Sequence, residues 1–168
     1  MLLKINKYLA WMIAGIILTG CSTKMEDMTI QAEKAAEAEF QAEKPPADKK
    51  SKTFSFYLPH GFTIEEEKEN NVIIKKGDLL AIIFRNPNES SGSEMLTNTI
   101  QSNKKEYIHT KVFEDKGRKG FMAIKKAGNE QYELVVGIGG VKVTTVTKAQ
   151  NLDDLAKEMM KIAASIDQ

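Results

Sequence analysis

The chain has a single cysteine, Cys21, in 168 residues. One thiol cannot close an intramolecular disulfide, and the residue suits an attachment role better than a redox role. Histidine is almost as scarce, with only His60 and His109. No His-x-x-x-His spacing occurs, whereas a metal centre needs two or more ligands with an orienting shell behind them. Charge of one sign is lacking too, since 24 basic residues stand against 23 acidic ones. Nucleic-acid binding, which normally shows as a basic excess on one face, is disfavoured. A polybasic membrane patch is disfavoured for the same reason.

There is also no apolar run of the ~20 residues that a spanning helix requires. Nor is there a Gly-x-Ser-x-Gly nucleophile elbow. Gly137-Ile138-Gly139-Gly140 lacks the following helix and the Lys-Ser/Thr of a phosphate loop, so it reads as a hairpin. Ser90-Ser91-Gly92-Ser93 reads as helix capping. No catalytic constellation and no cofactor are expected.

What is present begins at the N-terminus. Lys4 and Lys7 precede a short apolar run, Leu9 to Leu18, broken by Gly15 and followed by Thr19-Gly20-Cys21. A positive start, a short apolar centre and small residues at its end make a secretory signal. Leu18-Thr19-Gly20-Cys21 resembles the lipobox of bacterial lipoproteins. That resemblance implies a diacylglyceryl group on the Cys21 sulfur, cleavage before it, and a mature chain held at the outer, extracytoplasmic face of the bacterial cell membrane. Each buried CH₂ of an acyl chain contributes about 0.8 kcal/mol, so two or three chains hold a protein stably. Removing Lys4 and Lys7 with residues 1–20 leaves 22 basic against 23 acidic residues, which is nearly neutral.

Residues 21–53 form the anchor and an Ala/Glu/Lys-rich tether. Ala, Glu, Lys and Gln dominate Gln31 to Lys44, with Phe40 the sole aromatic, and Pro45-Pro46 ends the stretch. Such a segment buries too little apolar surface to fold alone. Its residues are good helix formers, so a solvated, partly helical spacer from about Met25 to Ala42 is expected, stopped by the proline pair. The alternative is a helix that docks on a partner through Met25, Met28, Ala32, Ala35 and Phe40.

Residues 54–168 carry the periodicities of a folded domain. Phe54, Phe56 and Leu58 alternate with Ser55 and Tyr57, predicting a half-buried strand. Pro59-His60-Gly61 turns the chain. Strands follow at Phe62 to Glu69 and Val72 to Lys76, and Leu79 to Phe84 reads as an interior strand covered on both faces. Ser91 and Glu94 offer a capping box for a helix reaching about Tyr107. Four more strands are predicted at Ile108 to Glu114, Phe121 to Lys126, Gln131 to Ile138 and Val141 to Lys148, joined as a meander. Asn151 caps a last helix whose Leu152, Leu155, Met159, Ile162 and Ile166 make one apolar stripe.

The fold class is therefore α+β, a mostly antiparallel sheet with two helices packed on it. Phe54-Ser55-Phe56-Tyr57-Leu58-Pro59-His60-Gly61-Phe62 resembles the start of PsbP/Mog1-like domains, where an alternating strand runs into Pro-x-Gly-aromatic. The resemblance implies a binding or accessory module and supplies no active-site pattern. Tyr57, His60, Phe62 and Arg85 are expected to converge at one end of the sheet as a recognition patch for a cell-envelope protein or ligand. The competing class is a cell-envelope hydrolase or metal-binding protein using His60 and His109.

Overall fold

The computed structural model describes residues 25–168; the signal, the lipobox and Cys21 lie outside them. The elements run α1 (Met25–Gln41), β1 (Lys49–Lys50), β2 (Ser55–Phe56), β3 (Thr63–Lys68), β4 (Asn71–Lys76), β5 (Leu79–Arg85) and α2 (Met95–Ser102). After a 3-10 turn at Lys104–Glu106 come β6 (His109–Asp115), β7 (Arg118–Gly128), β8 (Gln131–Ile138) and β9 (Val141–Lys148), then a second 3-10 turn at Ala149–Asn151 and α3 (Leu152–Ser165).

Seven strands form one sheet in the order β3-β4-β5-β9-β8-β7-β6. Every pairing is antiparallel, so the fold is α+β as its sequence predicts. The meander β6 to β9 follows from its short turns: Lys116 and Gly117, both at positive φ, close the β6–β7 hairpin. Pairing of β5 with β9 joins the two halves.

One face of the sheet carries Val72, Ile74, Ala81, Ile83, Val143, Val136, Leu134, Met122 and Ile124, all buried. The α3 stripe lies on this face, with Leu152, Leu155, Met159, Ile162 and Ile166 in the same core cluster. The opposite face is covered in part by α2 and the 3-10 turn after it, with Leu96 and Ile100 of the helix and Tyr107 beyond the turn packing on Phe121, Ala123 and Val135. Seven strands at about 4.8 Å spacing span about 29 Å, and one helix of about 10 Å diameter leaves part of that width open. Hence β5 is not covered on both faces: Ala81 and Ile83 are buried while Leu80 and Ile82 are 49% and 44% exposed.

Three local expectations are corrected. The Phe54–Leu58 strand does not enter the main sheet; Ser55–Phe56 pairs with Lys49–Lys50 in a separate hairpin beside α3. The alternation is as read, with Phe54 and Phe56 buried, but the pairing partner comes from the stretch assigned to the tether. At α2 the expected Ser91–Glu94 capping box does not form: Glu94 itself holds the N-cap position without a side-chain hydrogen bond, and Ser93 Oγ accepts from the Met95 amide at 3.2 Å just ahead of it. Asn151 holds the N-cap position of α3 without a side-chain hydrogen bond.

The largest revision concerns the tether. Its helix is present over Met25–Gln41, but it is docked within the chain, against α3 and the β6–β7 edge. Ala32, Ala36 and Phe40 are fully buried and Thr29 nearly so. These residues recur at three- and four-residue spacing, and the small Thr29, Ala32 and Ala36 suit a close helix–helix approach. The folded part therefore includes the helix from Met25 onward, well before Phe54.

Candidate functional site

The predicted patch begins in the segment after β2. The Phe62 amide donates to the Pro59 carbonyl at 3.1 Å, and Gly61 between them sits at φ +85. That is the arrangement of a type II turn, which needs a residue tolerant of positive φ in its third position. It leaves His60 exposed at the tip. Upstream, the Tyr57 amide donates to Ser165 Oγ at 2.8 Å, and the Leu58 amide donates to Asp48 Oδ1 at 2.9 Å. The first bond pins the segment to the end of α3, the second to the stretch just before β1.

Between segment and helix lies a cleft of about 670 Å³. Tyr57, Pro59 and His60 form one wall, Lys76, Leu79 and Thr147 the sheet side, and Asp154, Lys157, Glu158 and Lys161 the α3 side. Lys161 Nζ stands 4.7 Å from the centre of the Tyr57 ring. Lys76 Nζ lies 5.4 Å from the Phe62 ring centre and 3.8 Å from Glu158 Oε1. The cleft thus offers an aromatic face, a histidine and three lysines against two carboxylates, features suited to recognising an acidic or mixed polar surface.

The four predicted residues are not all brought together. Tyr57 and His60 line the cleft, whereas Phe62 is 5% exposed and supports Lys76 from beneath. Arg85 ends β5, and Leu79 at the cleft begins it, which places them about 20 Å apart along the strand. Arg85 Nε donates to the Asp167 backbone carbonyl at 3.1 Å. The Asp167 carboxyl meets Lys44 Nζ, and that hydrogen bond holds its pKa below the ordinary value.

His109 sits on β6, four strands from β5 in the sheet, or about 19 Å at about 4.8 Å per strand. Its Nε2 donates to Glu33 Oε2 at 2.7 Å, and Lys111 Nζ donates to Glu33 Oε1 at 2.8 Å. His60 and His109 therefore occupy separate sites. Among the described residues, no group of three or more His, Cys, Asp or Glu side chains is placed to hold a metal. No helix among them is long and apolar enough to cross a membrane.

Sequence reasoning missed Lys161 as a cleft residue and Ser165 as the buried anchor of the Tyr57 amide. The signal was partial, because Lys157 and Lys161 flank the apolar stripe of α3 at helical spacing, but nothing local says which flank meets Tyr57.

No protein-family model matches the chain, and no curated protein matches it. Among solved structures, it is similar to the solution structure of cyanobacterial PsbP (CyanoP) from Synechocystis sp. PCC 6803. The TM-score is 0.40 at 13% identity, covering 67% of this chain and 85% of that one.

Proposed function

We propose that the chain is a bacterial lipoprotein, anchored through acyl chains on Cys21 at the extracytoplasmic face of the membrane. Its domain serves there as a non-catalytic binding or accessory module for a cell-envelope protein or ligand. The anchoring is supported by the Leu18-Thr19-Gly20-Cys21 motif behind a short apolar run. The observation that carries the binding role is the open cleft in which Tyr57, His60 and Lys161 meet solvent beside three acceptors of opposite or no charge, Asp154, Glu158 and Asn151. A convex surface would give a partner little to grip; a concave one with convergent polar groups is where recognition sites concentrate.

The test is crosslinking in intact cells from a photoreactive residue placed at Tyr57, with the same residue at Arg85 as a control on a remote surface. A discrete crosslinked species from Tyr57 and none from Arg85 is the expected result. Equal labelling from both positions, or none from either, counts against the cleft as the binding surface.

A further inference from the structure

We propose that the cleft between α2 and the uncovered half of the sheet binds a medium-chain monocarboxylate, with its acid group at Lys142 and its apolar chain over Ile82 and Val135. This site is on the opposite face of the sheet from the Tyr57–His60 cleft. It depends neither on that cleft nor on lipidation of Cys21.

The anomaly that points to it is Lys142. Lysine is a residue of edges and open surfaces, yet Lys142 belongs to β9, the middle strand of seven, and is half-buried. Alternation along β9 turns Val141 and Val143 toward α3, and Lys142 and Thr144 toward the α2 side. Lys142 Nζ stands 5.8 Å from the centre of the Phe84 ring on β5. On β8 its partner is Gly137, where a Cβ would come within 2.5 Å of Phe121 Cζ, so the Phe121 ring fills that place. The ammonium is thus flanked by aromatic rings, and no ion pair among the described residues includes it. A partly desolvated charge calls for a counter-charge.

The surrounding carboxylates do not supply one. Glu133, which lines the cleft, is 3.3 Å from Lys125, and Glu66 in the adjoining hollow is 3.0 Å from Lys68. Glu89 stands beside Gly140, two residues before Lys142, but neither lines the cleft nor pairs with that lysine. Glu106 is exposed beyond the far end, next to Tyr107.

The shape of the cleft says what the missing anion carries. It encloses about 410 Å³, a volume ordinary for small-molecule sites. Ile82, Phe84 and Val135 make its floor, and Leu96 and Ile100 its helical wall. Gly137, opposite Lys142, and Glu133 are four residues apart on β8, about 13 Å at about 3.3 Å per residue. At that far end Lys125 and Glu133 neutralise each other beside Tyr107. One free positive charge, an apolar middle and an electrically closed end match a single acid group on an apolar chain. A phosphate ester, with its second negative charge, would call for a second free cation, which the cleft lining lacks.

The experiment uses the chain as isolated from cells, held in phosphatidylcholine nanodiscs. Decanoic acid with a diazirine at mid-chain is added and irradiated, and the adducts are mapped by mass spectrometry. Adducts on Ile82, Val135, Leu96 or Ile100, suppressed several-fold by excess decanoate, are the expected result. The methyl ester of the same probe should label these residues several-fold less than the acid. Lys142→Glu should lower the yield from the acid several-fold, while Lys142→Arg should keep more than half of it. Adducts spread over the surface, or insensitive to decanoate, overturn the site. An unlabelled cleft overturns it too, whether empty or covered by a second copy. Equal yields from acid and ester overturn the role of Lys142, and that comparison needs no variant to fold. Crosslinking from Tyr57 reads the other face of the sheet, so the two proposals fail separately.

Discussion

The imidazole Nε2 of His109 and the carboxylate Oε2 of Glu33 are 2.7 Å apart, joining the edge strand β6 to α1 across 76 positions of sequence. His109 and Lys111 occupy the positions at which two rows of the core face run out onto the sheet edge: His109 is opposite Ile124, and Lys111 is opposite Met122. An edge bearing polar side chains toward the core needs a polar partner, and Glu33 is that partner.

Burial raises the Glu33 pKa, but hydrogen bonds from Lys111 and His109 outweigh it, and the folded value lies below the ordinary 4.5. A depressed carboxyl pKa adds stability that is present above the unfolded value and lost as pH falls through the folded one. Glu33→Gln should therefore cost about 1 to 2 kcal/mol at neutral pH. The difference from the parent chain should shrink as pH drops below 4.5. Chemical denaturation of both proteins at neutral and acid pH checks this; a constant difference would remove the ion-pair explanation.

Phe40 and Gly120 form a steric lock. A Cβ on Gly120 would lie 2.7 Å from Phe40 Cε2, too close for an ordinary contact. Gly120→Ala should destabilise by about 1 to 3 kcal/mol through overpacking, and Phe40→Ala by about 3 to 5 kcal/mol through the cavity it leaves. Combining Gly120→Ala with Phe40→Leu should recover part of the loss, measured as a coupling energy in a double-mutant cycle. Strict additivity would mean that the ring and the glycine do not compete for the same space.

Ser165 sets the position of the cleft wall. Its buried Oγ donates to the Ile162 carbonyl at 2.6 Å and accepts from the Tyr57 amide. Ser165→Ala leaves that amide without its partner and should cost about 1 to 3 kcal/mol. The expected signature is faster amide exchange at Tyr57 with α1 unchanged. Uniform acceleration across both regions would point to global destabilisation instead.

Neighbouring isoleucines on β5 should respond in opposite ways. Ile83 is fully buried and Ile82 is 44% exposed on the uncovered side of the sheet. Ile83→Ala should cost about 2 to 5 kcal/mol, while Ile82→Thr should stay within about 0.5 kcal/mol. Thermal melts of the two variants distinguish them, and a large loss at Ile82 would mean that this face is covered after all.

The strands were legible where their cues are local. Gln131–Ile138 and Val141–Lys148 fall where period and turn glycines put them, and the α3 stripe is core as its spacing implies. The tether helix was legible as a helix but not as part of the fold. Its stripe of Ala32, Ala36 and Phe40 looks too thin to bury, and it becomes adequate only against a closely approaching α3. The cleft was half legible: Tyr57 and His60 follow from an aromatic–turn motif, while Lys161 and Ser165 join them only because α3 folds back beside residues about a hundred positions earlier.

By itself the sequence determined the helix and strand periods, most of the turns, and the short apolar run that ends at Leu18, just before Cys21. Each of these depends on residues within a few positions of one another, where backbone geometry sets the pattern. Tertiary structure alone decided that α1 docks, that β2 leaves the main sheet, and that Arg85 stands far from Tyr57. Those outcomes depend on which surfaces meet after long loops close, and complementarity between distant segments leaves no periodic trace in either one.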